Sequence, residues 1–294
     1  MANEQLELEE TVDQYELVDN VKEDLNFIDY DEELDFEWDV IDIKNMKDQA
    51  VDSEEKSGFS LQSISGQWIQ SGSRWWYRHS DGSYTTSDWE YINVKWYYFD
   101  SEGWMVTGWV NDGGYYYYCN SSGEMVTGWN TVSGNQYYFS SSGAMQTHWI
   151  LISGKYYYFD ADGKYVDNTG TKMISEALKY EGNPYISGGN SLTNGTDCSG
   201  YVYLIHQLYG IATPRIASLQ YSAANSISSS NLKPGDLVFY CEDDGVKIKH
   251  VAFYVGTIDG KSDRIIHAAN PSQGIIISTR TYWSAPKKHA TFWR

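Results

Sequence analysis

The chain of 294 residues carries 40 acidic against 21 basic side chains, a formal net charge of −19, with 16% aromatic residues and 3 cysteines. That length accommodates two domains and a tail, and three cysteines, an odd number, supply no disulfide framework. No basic patch stands out beyond Lys287-Lys288, so nucleic acid is not an expected partner, and no stretch reaches the ~20 apolar residues of a membrane span.

The charge sits at one end. Residues 1–57 hold twenty-one acids and four lysines, or −17 of the −19, while the remainder is close to neutral. The acidic pI therefore describes the tail and not the surfaces that follow. Acids alternate with apolar residues in Asp29-Tyr30-Asp31-Glu32-Glu33-Leu34-Asp35-Phe36-Glu37-Trp38-Asp39, and self-repulsion with few apolar anchors predicts a disordered tail. The first residues also lack the basic and apolar regions of a signal peptide.

Residues 58–168 are periodic. Trp68, Trp89, Trp109, Trp129 and Trp149 are spaced by 21, 20, 20 and 20 residues, and each interval carries an aromatic cluster and then a polar turn ending in glycine. Copies include Trp96-Tyr97-Tyr98-Phe99-Asp100-Ser101-Glu102-Gly103 and Tyr156-Tyr157-Tyr158-Phe159-Asp160-Ala161-Asp162-Gly163; Met105-Val106-Thr107-Gly108-Trp109 recurs as Met125-Val126-Thr127-Gly128-Trp129 and, weakened, as Met145-Gln146-Thr147-His148-Trp149. Each unit reads as two short strands about a tight turn. One such hairpin is marginal in water, so stacked copies are expected to bury each other's aromatic faces as a β-hairpin solenoid. Cys119 stands in the slot of Phe99, Phe139 and Phe159 and is expected to be a core replacement.

These units resemble the choline-binding and cell-wall-binding repeats of Gram-positive surface proteins. The resemblance implies a cage of aromatic faces around a quaternary ammonium, with Trp109, Tyr116 and Trp129 as its best candidates here and the next cage impaired by Gln136. A wall glycan or teichoic polymer is the expected ligand, choline being one candidate. The same aromatics are also what a stacked array needs merely to pack.

Residues 169–294 carry the chemistry. Thr196-Asp197-Cys198-Ser199-Gly200 precedes Tyr201, Val202, Leu204, Ile205, Leu208 and Tyr209, an apolar stripe at helical spacing closed by Gly210. Cys198 thus opens a buried helix, whose N-terminal partial charge is expected to favour the thiolate. The base has to come from elsewhere, because His206 is eight residues on, roughly 12 Å along the axis. His79, His148 and His289 have no motif context. In His250-Val251-Ala252-Phe253-Tyr254-Val255, alternation sends His250, Ala252 and Tyr254 to one face of a strand. A second run, Arg264-Ile265-Ile266-His267-Ala268-Ala269, follows a turn, and pairing of the two strands puts His267 beside His250, where it can orient that ring as an acid does in a triad. No Cys-x-x-Cys or His-x-x-x-His spacing points to a metal or any other cofactor.

Six ordered blocks make this region similar to the NlpC-type family of papain-like cell-wall cysteine peptidases: Asn183-Pro184-Tyr185-Ile186-Ser187-Gly188-Gly189, Asp197-Cys198-Ser199-Gly200, Thr213-Pro214-Arg215, Lys233-Pro234-Gly235-Asp236-Leu237-Val238-Phe239-Tyr240, His250-Val251-Ala252 and Ile266-His267-Ala268. The resemblance implies an α+β papain-like domain that cuts peptidoglycan stem peptides, at the bond between γ-D-glutamate and the diamino acid. It makes Cys198 the nucleophile, His250 the general base and then acid, and His267 the third polar residue. Tyr185 would lie beside the nucleophile, and Asp197 and Ser199 would help hold the peptide end of the substrate. Two departures bear on specificity: Ser187 stands where the family usually has a tryptophan or tyrosine, and Ala217, followed by Ser218, replaces a serine that contacts substrate in strict relatives. A wall amidase, an acyltransferase on the same scaffold and a catalytically dead wall-binding protein are the competing readings. The expected location is the bacterial cell wall or extracellular space, reached without a signal peptide visible in this chain.

Overall fold

The computed structural model describes residues 66–294; the acidic stretch 1–57, and with it the expected disorder, lies outside the described residues. Five antiparallel hairpins come first: β1 (Gln67–Ser71) with β2 (Arg74–Arg78), β3 (Asp88–Ile92) with β4 (Lys95–Phe99), β5 (Gly108–Asp112) with β6 (Tyr115–Cys119), β7 (Gly128–Val132) with β8 (Asn135–Phe139), and β9 (His148–Ile152) with β10 (Lys155–Phe159). In each, the periodic tryptophan pairs in register with a tyrosine of the aromatic cluster, as Trp109 with Tyr118 and Trp129 with Tyr138.

Successive hairpins interlock by the same few residues. Met125 N–H donates to the Trp96 carbonyl at 2.8 Å and Met145 N–H to the Tyr116 carbonyl at 2.7 Å, joining each post-glycine segment to the preceding hairpin. The glycine before each of these methionines has a reason of its own. A Cβ on Gly123 would come within 2.2 Å of Met105 Sδ, and one on Gly143 within 2.3 Å of Met125 Sδ; both glycines also have φ above +80°, where an L side chain is strained. Methionine and glycine are therefore knob and hole between neighbouring units. Cys119 is fully buried in the slot that Phe99 and Phe139 fill in other units, and burial pushes its thiol up to about 11.

The C-terminal region follows from Asn168, whose side chain accepts from Thr171 N–H in a capping box that opens α1 (Thr169–Ala177). Then come the short strands β11 (Asn190–Ser191) and β12 (Gly195–Thr196), α2 (Cys198–Leu208), α3 (Ala217–Ala223) and a sheet containing the short β13 (Asn225–Ser226), β14 (Leu237–Cys241), β15 (Ile248–Ile258), β16 (Lys261–Asn270), β17 (Gly274–Thr279) and β18 (Lys287–Thr291). In the sheet β15 lies between β14 and β16, and β17 continues beyond β16. The alternation read from sequence is what packs: Val251, Phe253 and Val255 join Met173, Ile174, Tyr201, Val202 and Ile205 of the helices in the main core, while Ala252 faces a second cluster with Val238 and Tyr240.

The last hairpin has a different fate from the other four. Past the end of β14, Ile258 of β15 pairs in parallel with Trp149 of β9, so β9 and β10 extend the C-terminal sheet. Trp149 is 3% exposed and belongs to the main core, its indole N–H donating to the Val255 carbonyl at 2.8 Å, and Ser175 Oγ of α1 donates to the Tyr156 carbonyl at 2.8 Å. Hydrogen bonds thus join the fifth hairpin to the region after residue 168.

Candidate active site

Asp197 has extended backbone and caps α2, its Oδ1 accepting Gly200 N–H at 2.8 Å. Cys198 is therefore the first helical residue. Arg215 locks this corner: its two terminal nitrogens donate to Asp197 Oδ1 at 2.7 Å and Oδ2 at 3.1 Å, and further bonds reach Ser199 Oγ and the Gly189 carbonyl. Gly188 N–H also donates to Asp197 Oδ2 at 2.8 Å. A Cβ on Gly200 would lie 2.5 Å from Arg215 Nη2 and 2.4 Å from Thr196 Oγ1, which is why glycine follows Cys198-Ser199. Burial opposes ionisation of Asp197, but the guanidinium and the Gly200 and Gly188 N–H groups outweigh it and hold the carboxyl below its ordinary range. Both carboxylate oxygens are thus already occupied, and Ser199 Oγ leans on the same group at 3.3 Å.

The thiol lies against the start of β15. Burial pushes the Cys198 thiol up, the Val251 N–H pulls it down, Asp197 raises it again, and the N–H groups of Ser199 and Cys198 itself lower it. The expectation that the helix terminus leaves a thiolate is corrected here. Removal from water outweighs the donors of the first turn, so the group lies above the ordinary thiol range and not below it. Tyr185, paired by a parallel bridge to Thr196, is the neighbour expected beside the nucleophile: its hydroxyl is pushed up by burial first, then by Cys198 and Asp197. Ser187 is exposed and Ala217 is buried at the start of α3.

Val251 follows His250, and His250 Nε2 lies 2.9 Å from His267 Nδ1. The two rings, from neighbouring antiparallel strands, meet edge to face at 4.9 Å between centroids. Both are buried, and burial holds each below its ordinary range: His250 well below, with the second imidazole adding to the effect, and His267 at about 4. Both are neutral near pH 7, which is the state a base requires. Trp283, absent from the expectations, covers the pair. Its ring centroid is 4.3 Å from that of His250 and 5.2 Å from that of His267, and Lys287 Nζ, donating to the Trp283 carbonyl at 3.0 Å, ties down its loop. His206 stays apart as expected, its Nδ1 2.6 Å from Thr213 Oγ1.

Among the repeats, Trp109 (41%), Tyr116 (49%) and Trp129 (39%) are all partly exposed. The ring contacts of Trp109 run to Tyr118 of its own hairpin and Tyr137 of the next, at 5.2 and 5.1 Å between centroids. Those of Trp129 run to Tyr138 and Tyr157, at 5.5 and 5.1 Å. The register places Tyr116 opposite Asn111, on the face that carries Trp109 and Tyr118.

Residues 182–291 match the NlpC/P60 family model, and residues 85–127 and 126–169 match a choline-binding repeat model. The γ-DL-glutamyl hydrolase of Bacillus subtilis is 35% identical over 116 residues, 38% of this chain and 27% of that protein. The probable endopeptidase p60 of Listeria monocytogenes is 46% identical over 84 residues, 29% of this chain and 17% of that protein. The chain thus spans about a quarter or less of the length of these two curated relatives. A crystal structure of choline binding protein F from Streptococcus pneumoniae, obtained with a peptidoglycan analogue, aligns with 41% identity over 35% of each chain at a TM-score of 0.34.

Proposed function

We propose that this chain, whose residues 182–291 are an NlpC/P60 domain and whose residues 85–169 are choline-binding repeats, is a cysteine endopeptidase of peptidoglycan stem peptides. The observation that carries the reading is one constellation: Cys198 at the first turn of α2, against the strand whose His250 is bonded to His267. In the reaction, His250 takes the thiol proton and the Cys198 sulfur attacks the γ-carbonyl of D-glutamate. N–H groups of the first helical turn hold the oxyanion. His250 returns the proton to the departing amine of the diamino acid, leaving a thioester; water, activated by the same imidazole, then frees Cys198 and a new glutamate carboxyl. Burial disfavours the charged form of both partners.

Tyr185, Asp197 and Ser199 form the end of the groove that receives the substrate's peptide amine, with Arg215 fixing the carboxylate. The repeats, stacked as a solenoid, hold the enzyme at the bacterial wall and outside the cell by binding a choline-bearing or similar wall polymer. Trp109, Tyr116 and Trp129 are the aromatic walls we assign to that ligand, Trp109 completed by Tyr137 and Trp129 by Tyr157. Attachment raises the local concentration of the peptidase on an insoluble substrate and adds no chemistry.

Incubation with a defined L-Ala–γ-D-Glu–diamino acid peptide, followed by mass spectrometry, tests the reading. A dipeptide ending in D-glutamate is expected. With the same peptide carried on muramic acid, release of intact stem peptide would make the protein an amidase, and amine adducts in place of free acids would make it a transferase.

A further inference from the structure

His267 uses both ring nitrogens inside the protein. Nδ1 faces His250 Nε2, and Nε2 lies 2.9 Å from Ser278 Oγ. Ser278 interrupts the apolar strand Gly274-Ile275-Ile276-Ile277-Ser278-Thr279 and is nonetheless buried. The register sets Ile276 opposite His267 and Ile265 opposite Ser278, so the hydroxyl reaches the ring diagonally along one face of the ladder. A hydroxyl in such a place is unfavourable unless it is bonded, and this one has a second partner, the Thr279 carbonyl at 3.4 Å.

These contacts order the protons. A neutral imidazole has one N–H and one lone pair, so the chain Ser278–His267–His250 can run in only two directions. A carbonyl only accepts. A Ser278 O–H turned to Thr279 leaves its oxygen to accept the proton on His267 Nε2; His267 Nδ1 then accepts from His250 Nε2–H, and the lone pair of His250 falls on Nδ1. The reverse direction puts a proton on His250 Nδ1 and removes the base. At 3.4 Å the serine–carbonyl bond is weak, and it favours the first direction because the carbonyl gives the Ser278 O–H an acceptor that the reverse direction leaves unused.

We infer that Ser278 is a fourth, positioning member of the catalytic chain, fixing through His267 the tautomer in which His250 can accept the Cys198 proton. No proton travels to Ser278; the thiol proton goes to His250 Nδ1 and later to the leaving amine. The inference rests on the endopeptidase reading for its kinetic arm alone.

The test uses the full chain labelled with 15N-histidine, with His267 assigned by His267→Gln. Imidazole nitrogen shifts are expected to show His267 protonated at Nε2 in the wild type and redistributed toward Nδ1 in Ser278→Ala. Alkylation of Cys198 by iodoacetamide and kcat on the stem peptide are expected to fall about ten-fold, the scale of losing one hydrogen bond to a positioned group, with KM unchanged; Ser278→Thr, which keeps the hydroxyl, restores both. Wild-type His267 protonated at Nδ1, or Ser278→Ala with unaltered tautomer and unaltered alkylation rate, would overturn the inference. A wild type that cleaves no stem peptide would sink the proposed reaction, while the nitrogen shifts and the alkylation rate would still decide the role of Ser278.

Discussion

Replacing Trp149 by alanine is expected to destabilise the catalytic region, although the residue belongs by sequence to the repeats. A tryptophan buries about 150–250 Å², and Trp149 is 3% exposed within the main core. At about 25 cal/mol per Å² its burial contributes roughly 4–6 kcal/mol. Measured tryptophan truncations cost about 3–5 kcal/mol, and the Val255 carbonyl, which accepts the indole N–H at 2.8 Å, loses its side-chain donor. We therefore expect a loss of about 3–5 kcal/mol, a large fraction of the roughly 5–15 kcal/mol that holds an ordinary domain. Trp109→Ala is the control: it is 41% exposed and should cost roughly 1–2 kcal/mol, confined to its own hairpins. The assay is hydrogen exchange at the β15 amides in the full chain, read by mass spectrometry. Faster exchange across Val251–Ile258 in Trp149→Ala, with no change in Trp109→Ala, is the expected pattern. Equal protection in wild type and Trp149→Ala would refute the reasoning that the fifth hairpin has become part of the catalytic unit.

Other consequences can be measured directly. The pH profile of kcat/KM should be a broad plateau, because the base is neutral until pH falls through a value well below 6.5 and the thiol, pushed up by burial, ionises late; an acid limb at or above 6.5 would contradict the buried-pair geometry. Stability should also fall in acid. Buried His206 titrates at about 3 in the fold against ~6.5 unfolded, so the unfolded chain binds the extra proton throughout that window and stability drops as pH falls through it. By pH 3 the loss from His206 is roughly 4 kcal/mol, and His206→Gln should lessen the dependence of urea midpoints on pH, leaving the part due to buried His250 and His267. At the repeats, Trp109→Ala and Trp129→Ala should each weaken choline binding about ten-fold or more in equilibrium dialysis, on the scale of losing a cation–π wall, while His79→Ala should not.

Much of the site was legible because its signals are local. A helix start shows as Asp197-Cys198-Ser199-Gly200 before an apolar stripe, and the faces of β15 follow from alternation, so Cys198, His250 and the His267 contact could all be placed from the chain. The hairpins were equally legible, since each unit repeats its own turn and aromatic cluster. What escaped depends on partners distant in sequence. Trp149 occupies the same periodic slot as Trp109 and Trp129, and nothing within its unit says that a strand more than a hundred residues later will take it into another core. Ser278 is, in the sequence alone, one serine after an isoleucine run, and its buried hydroxyl becomes a signal only once β17 is known to pair with β16. Arg215 belongs to a legible motif, but its role depends on the fold that brings it to Asp197. The thiolate expectation failed for a related reason: the helix terminus is visible in sequence, and the burial that outweighs it is not.

The central claim is tested most directly by digesting purified peptidoglycan with the wild-type chain and with Cys198→Ala, and identifying the soluble fragments by mass spectrometry. Fragments beginning at the diamino acid, released by the wild type and not by Cys198→Ala, are the predicted result. Equal release by both proteins, or none by the wild type across several wall chemotypes, would contradict it.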